Sequence, residues 1–181
     1  VRLPSKFSSQ HSLDDAENAA KSLGSPMRTI NIEPVVNALR EAYAFTAGEE
    51  LVGVADENIQ ARARGTILMS ISNQERRILL STGNKSEVSV GYSTLYGDSA
   101  GGFNPIKDCY KTTVWDMCRF RNDLDEETLK KWGFLGPRTE VVPEEIIVKP
   151  PSAELKPDQQ DSDSLPPYET LDAILKLLIE K

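Results

Sequence analysis

The order of apolar and polar positions predicts short strands that alternate with helices in the first half of the chain. Three β-rich runs are present: VRLP at residues 1–4, MRTINI at 27–32 and RILLST at 77–82. Between them, apolar residues recur every three or four positions, which is the spacing of one helix face. The resulting order β-α-β-α-α-β is typical of a parallel sheet covered by helices.

Start and stop signals locate the predicted helices. Ser12 and Asp15 have the spacing of a capping box at the start of the first helix, and Gly24 supplies its end. Pro34 opens a second helix that ends near Gly48. Further helices are expected over residues 57–73, 111–121 and 126–132, and a last one carries the apolar residues Leu171, Ile174, Leu175 and Leu178.

The second half of the chain contains two long polar segments. Residues 94–108 are expected to form a glycine-containing loop. Residues 156–168 are rich in Pro, Asp and Ser, a composition that predicts a mobile loop. Within that loop, Asp161 and Asp163 are interpreted as solvated linker charge, and ordering near a binding site is the alternative.

Composition narrows the class of protein. The chain has 181 residues, 39% of them hydrophobic and 27% charged, which is the usual balance of a soluble globular protein. A net charge of −7 argues against a nucleic-acid partner. No apolar run reaches membrane-spanning length, no signal-peptide pattern is present, and Cys109 and Cys118 lack C-x-x-C spacing. We therefore expect a cytoplasmic protein with no nucleic-acid and no membrane partner.

His11, the single histidine, limits the available chemistry. A zinc site would need more such ligands, and a Ser-His-Asp triad would need a nucleophile motif of the G-x-S-x-G type, which is absent. We interpret His11 as a loop residue. The sequence offers no credible pair of nucleophile and base.

The segment STGNKSE, residues 81–87, places a hydroxyl, a glycine turn and a carboxylate directly after a predicted strand. In an open α/β sheet, ligands bind at the carboxyl ends of the parallel strands. The segment therefore predicts a loop that faces a nucleotide. A polar turn that caps a helix is the alternative.

Three long segments carry a resemblance to a known family: ENIQARARGTILMSISN, LLSTGNKSEVSVGYSTLYGDSAGGFNPIKDCYKT and VKPPSAELKPDQQDSDSLPPYETLD. Together they resemble the NAD synthetase family of the ATP-pyrophosphatase group. The resemblance covers nearly all of residues 1–181 and is closer to the glutamine-dependent branch than to the ammonia-dependent branch. It implies a Rossmann-like parallel sheet with helices on both faces (adenine-nucleotide α-hydrolase-like), incomplete at its N-terminal strand.

The resemblance also implies a ligase reaction. ATP adenylates the nicotinate carboxylate of deamido-NAD and releases pyrophosphate, and ammonia then displaces AMP to form NAD. Both steps develop negative charge on phosphates, so such a site uses Mg²⁺, a lysine and hydroxyl or backbone donors.

Specific residues match the family motifs. For ATP, the matches are Thr82, Lys111, Ser152 and, in the ammonia-dependent branch, Arg2. For deamido-NAD, the matches are Asn58 and Arg62, which lie four apart on one helix face, and Glu87, which is also the candidate Mg²⁺ ligand. Without the resemblance, Asn58 and Arg62 would be interpreted as a solvated helix face.

The helix with Asn58 and Arg62 lies at the dimer interface in this family. In the present sequence it also carries Ala61, Gly65 and Met69 at four-residue spacing. Such a smooth strip, if exposed, would let a second helix pack closely. The resemblance and the strip together predict a homodimer or a higher homo-oligomer.

The sequence departs from the family at its pyrophosphate loop. The motif S-G-G-x-D-S does not occur in residues 1–181, and neither does an amidase domain. We therefore interpret the chain as a partial synthetase domain that we expect to be inactive alone, from a parent that can include a glutamine amidase domain. Two alternatives stay open: a non-catalytic fragment that dimerises or binds nucleotide weakly, and another ATP-pyrophosphatase such as a GMP synthetase.

Overall fold

The computed structural model describes residues 1–134, 136–137 and 140–180, and these residues form helices connected by loops. The α-helices are α1 (Gln10–Ser22), α2 (Glu33–Ala47), α3 (Val54–Glu75), α4 (Lys85–Ser89), α5 (Lys111–Asp123), α6 (Glu126–Lys131), α7 (Glu144–Val148) and α8 (Tyr168–Ile179), and Asp161–Asp163 form a 3₁₀ turn. All six predicted helices are present. The short helix α7 was not predicted, and α4 corresponds to the alternative in which the turn in residues 81–87 caps a helix.

The predicted parallel sheet is not confirmed, because the described residues contain no strand. They contain two isolated parallel bridges, Arg2 with Thr29 and Leu80 with Phe103. In the first, the amide of Arg2 donates to the carbonyl of Arg28 at 2.7 Å, and the amide of Ile30 donates back to Arg2 at 2.9 Å. The first two predicted strands therefore pair in the expected parallel direction. A pair of short segments is marginal without further neighbours, which is a physical reason why neither bridge extends into a ladder.

The caps of the first two helices test the local sequence signals. The residue that caps α1 is Ser9, not Ser12, because the Ser9 side chain accepts from the amide of Ser12 at 3.1 Å. His11 consequently lies in the first turn of α1 and contacts Asp15, so its interpretation as a loop residue was wrong. Helix α2 ends as predicted at Gly48, whose φ of 75° is the left-handed conformation that glycine adopts readily.

Two apolar clusters hold the helices together. One contains Ile32, Val36 and Ala63 and joins α2 to α3. The other contains Tyr110, Tyr168, Leu171 and Leu175 and joins α8 to the start of α5. Only part of the predicted apolar face of α8 is buried, since Ile174 and Leu178 are exposed. No helix in the described part of the chain is both long and apolar enough to cross a membrane.

The strip of small residues on α3 is covered by the chain itself. A Cβ added to Gly65 would lie 2.5 Å from the carbonyl oxygen of Tyr96, and one added to Gly97 would lie 2.8 Å from the Cβ of Ala61. Ala61 and Gly65 are both buried, and only Met69 is exposed. The prediction of an exposed strip was therefore wrong, and the strip no longer supports a homodimer.

Candidate functional site

An open cavity of about 630 Å³ lies between segments from both halves of the chain. It brings together Arg2 from the first bridge, Thr82 after the second bridge, Glu87 of α4, Lys111 at the start of α5 and Ser152 before the 3₁₀ turn. The four residues assigned to ATP and the carboxylate of Glu87 thus line one space. The family roles of these residues remain predictions.

Thr82 and the turn after it are shaped by contacts within residues 81–104. The side-chain amide of Asn104 donates to the carbonyl of Gly83 at 2.7 Å and holds the turn. Asn84 and Glu87 then form a capping box for α4, with distances of 3.0 and 3.1 Å. The alternative of a helix-capping turn is therefore correct as a local description. The Thr82 side chain makes no hydrogen bond to any described residue and can donate to a ligand in the cavity.

Glu87 forms an ion pair with Lys111, and the distance from Nζ to Oε1 is 3.0 Å. Both side chains are about four-fifths buried, so the pair is only partly screened by water. The ammonium group also lies 5.3 Å from the ring centroid of Tyr168. The second oxygen of Glu87 accepts from the amide of Asn84, so the carboxylate links the α4 cap to the lysine.

Arg2 and Ser152 are engaged with the chain. The Arg2 guanidinium donates to the carbonyl of Leu13 at 2.7 Å and to the hydroxyl of Thr29 at 3.1 Å. The hydroxyl of Ser152 donates to the carbonyl of Gln159. These contacts orient both side chains at the cavity wall, and a ligand would have to share or replace them.

Arg64 lines the same cavity and was missed from the sequence. Its Nε donates to the carbonyl of Leu3 at 3.0 Å, and no carboxylate of the described residues lies within 4 Å of its guanidinium. Burial lowers the pKa of Arg64, although Glu154 and Glu33 oppose this shift. Arg64 is thus a desolvated cation whose charge has no direct counter-ion among the described residues. No local pattern separates it from exposed Arg62, because each of the two arginines lies between two small residues of α3.

Asp161 lies at the edge of this cavity and is buried, whereas Asp163 is exposed. The hydroxyl of Tyr168 donates to one oxygen of Asp161 at 2.8 Å, and the hydroxyl of Tyr92 donates to the other at 3.1 Å. Burial and the Asp161 carboxylate raise the pKa of both phenols, so both stay protonated donors. Solvated linker charge was therefore the wrong interpretation for Asp161. The mobility of residues 156–168 stays a prediction.

Asn58 and Arg62 lie on α3 outside the lining of this cavity. The hydroxyl of Thr94 donates to the side-chain oxygen of Asn58 at 2.8 Å, and Nε of Arg62 donates to the carbonyl of Leu95 at 3.2 Å. The pair assigned to deamido-NAD is thus held by the loop after α4 and is separate from the residues assigned to ATP.

The cavity combines an unpaired hydroxyl, an ammonium group and a desolvated guanidinium. Hydroxyl and cationic donors of these kinds bind phosphate, so the arrangement suits a phosphate-bearing small molecule.

Comparison with known proteins gives the family: the model of the NAD synthase family matches residues 1–181. The chain therefore belongs to the NAD synthase family.

Similar proteins agree with this family. The chain is 53% identical over 180 residues to the glutamine-dependent NAD(+) synthetase of Rhodobacter capsulatus, covering 99% of the chain and 32% of that relative. Thus the chain spans about a third of the length of that relative.

Two solved structures are also similar. The glutamine-dependent NAD+ synthetase of Acinetobacter baumannii in complex with ADP has a TM-score of 0.71 and 40% identity, covering 98% of this chain and 29% of that one. The NMN synthetase of Francisella tularensis has a TM-score of 0.78 and 28% identity, covering 96% of this chain and 64% of that one. The likeness to these structures supports the α/β class that the sequence predicted, whereas the described residues form no sheet. The family also decides against the GMP synthetase alternative.

Proposed function

We propose that residues 1–181 form the part of a NAD synthetase that binds ATP and the acceptor, in an enzyme that makes NAD from deamido-NAD, ATP and ammonia through an adenylated intermediate. The observation that carries the proposal is the meeting of Thr82, Glu87 and Lys111 in one cavity of a chain from this family. The similarity to an ADP-bound synthetase supports ATP as the nucleotide.

Each lining residue has a role that its contacts allow. The free hydroxyl of Thr82 donates to the AMP part of ATP. Lys111 and Arg64 offset phosphate charge, Lys111 as a point charge and Arg64 as a planar fork with its outer nitrogens available. Arg2 and Ser152 complete the cavity wall near the phosphates. Donors of this kind stabilise the charge that develops as pyrophosphate leaves.

In this proposal, Mg²⁺ binds together with ATP and not in a site formed by protein ligands alone. The described residues contain no group of three or more side chains able to hold a metal. Phosphate-bound Mg²⁺ commonly uses one or two carboxylates together with substrate phosphates. Glu87 is such a carboxylate in the cavity, and the ion would supply neutralisation of the phosphate charge.

Asn58 and Arg62 are proposed to bind the acceptor. Arg62 is exposed and presents a guanidinium that suits a carboxylate or a phosphate. The likeness to an NMN synthetase favours one second candidate function, in which the acceptor is the mononucleotide counterpart of deamido-NAD. The higher identity to a NAD(+) synthetase favours the dinucleotide.

Three further parts of the proposal concern the whole protein. We propose a homodimer, to be checked by analytical ultracentrifugation, and ammonia supplied by a glutamine amidase domain, as the names of the relatives suggest. We also propose the cytoplasm as the compartment, since Cys109 and Cys118 are free thiols.

The test is an activity assay on the full-length gene product that contains residues 1–181. It is incubated with ATP, Mg²⁺ and either glutamine or ammonium, with deamido-NAD in one arm and nicotinate mononucleotide in the other. We expect NAD and pyrophosphate in equal amounts from the deamido-NAD arm. Product in the mononucleotide arm alone would establish the second candidate, and no product above the no-enzyme control in either arm would refute both.

Residues 1–181 alone are expected to produce no detectable NAD, because they lack the S-G-G-x-D-S loop whose backbone amides would bind phosphate. The same assay on this chain checks the expectation. Clear NAD formation would show that these residues suffice for the reaction, and weak nucleotide binding without turnover would agree with the non-catalytic alternative for the isolated chain.

A further inference from the structure

Asp172 of α8 is a carboxylate that is only 1% exposed and lies outside the lining of the cavity. Its Oδ1 accepts from the hydroxyl of Ser86. Its Oδ2 accepts from the amide of Thr112 at 2.9 Å and from the hydroxyl of Thr112 at 2.8 Å. In the described part of the chain, no lysine or arginine forms an ion pair with it. A buried carboxylate satisfied by neutral donors alone calls for an explanation.

These contacts cap the start of helix α5 with side chains that lie far from it in the sequence. The first amides of a helix have no partner within the helix, and Tyr110, the N-cap residue of α5, provides no side-chain acceptor. The amide of Lys111 instead donates to Ser86 Oγ at 2.8 Å, and the amide of Thr112 donates to Asp172 directly. The first two residues of α5 are therefore held by one carboxylate and the serine that it orients.

The same contacts fix the two charged residues of the site. Ser86 is fully buried and directly precedes Glu87, while Lys111 itself donates its amide to Ser86. Lys111 and Glu87, which form the ion pair at 3.0 Å, are thus the chain neighbours of Thr112 and Ser86, the two residues that Asp172 contacts. Helix α8 also provides Tyr168, whose ring lies beside the lysine ammonium.

We propose that Asp172 is a positioning residue that sets Lys111 and Glu87 for the phosphates of ATP, acting through Ser86 and the first turn of α5 without touching a ligand. This inference rests on the proposed function. It assigns to α8 a part in nucleotide binding, in addition to its part in the apolar core.

The test compares Asp172→Asn with a matched control in the full-length gene product. In either orientation of the new amide, one buried donor loses its acceptor, either the Ser86 hydroxyl or the amide of Thr112. The control is Asp125→Asn, because Asp125 caps α6 through the amide of Thr128 at 2.7 Å and lies outside the cavity. Ser86→Ala removes only the hydroxyl that links Asp172 to the amide of Lys111, and it is the variant to use if Asp172→Asn does not fold.

We expect Asp172→Asn and Ser86→Ala to raise KM for ATP by about tenfold to a hundredfold, the usual cost of misplacing a binding group. KM for the acceptor should rise less, because Asn58 and Arg62 lie outside this cavity. In a Lys111→Ala background, Asp172→Asn should cause a smaller loss than in the unsubstituted protein, because one of the two residues through which it acts is gone. General destabilisation of the fold would instead add its effect in both backgrounds.

An equal rise of KM for ATP in Asp125→Asn, or additive losses with Lys111→Ala, would overturn the inference. If the unsubstituted protein makes no product, the proposed function fails separately, and ATP affinity measured by calorimetry takes the place of KM. Unchanged ATP affinity in both Asp172→Asn and Ser86→Ala would then also overturn the inference.

Discussion

Replacing Gly65 by alanine is expected to destabilise the protein, although alanine is the better helix former. In a helix interior, the exchange of glycine for alanine usually gains about 1 kcal/mol. Here the new Cβ would lie 2.5 Å from the carbonyl oxygen of Tyr96 and 3.0 Å from that of Gly97. Both atoms are backbone, so the loop or α3 must shift, and overpacking of this kind costs about 1–3 kcal/mol. Because the contact with Tyr96 is so short, we expect the upper part of that range and a net loss of about 1–2 kcal/mol.

The assay is urea denaturation of residues 1–181, with Gly83→Ala as the control. A Cβ on Gly83 would have its nearest neighbour at 3.6 Å, an ordinary contact, so that variant should keep its midpoint. Equal or greater stability of Gly65→Ala would show that α3 and residues 94–100 do not pack as described. The same clash means that Gly65→Glu would damage the fold itself and does not isolate a subunit interface.

Two further predictions concern charges in the cavity of the full-length gene product. Arg64→Gln should weaken ATP binding by about tenfold or more, since a charge-assisted hydrogen bond contributes about 1.5–3 kcal/mol. The control Arg77→Gln, at an exposed position, should leave ATP binding unchanged. Equal ATP affinities of the unsubstituted protein and both variants, measured by calorimetry, would show that Arg64 does not bind ATP. Glu87→Gln should lower kcat about a hundredfold at saturating Mg²⁺, because it removes one charge from the site. The cap of α4 should remain, because glutamine also serves in a capping box. Full activity of this variant would show that Glu87 acts only as a helix cap.

Local signals in the sequence were sufficient for most of the helices and for the central motif. The range from Pro34 to Gly48 was predicted within a residue, because a helix start and a helix end depend on neighbours only a few positions away. The family resemblance, carried by segments such as STGNKSE, was confirmed over residues 1–181. The resemblance assigned Thr82 and Lys111 to ATP and Glu87 to deamido-NAD and Mg²⁺, and all three line one cavity.

The tertiary structure decided what those residues contact. Asp172 meets Thr112 and Ser86, 60 and 86 positions earlier in the chain, and no local pattern encodes such a pairing. The burial of Asp161 between two tyrosines and the covering of Gly65 by residues 96–97 are likewise long-range events. The predicted sheet also depends on long-range contacts. β-rich runs indicate a tendency to pair, but a ladder forms only where neighbouring segments lie beside them. Residue types and short spacings therefore determined the elements and the chemistry available, while packing determined which charges are paired, buried or free.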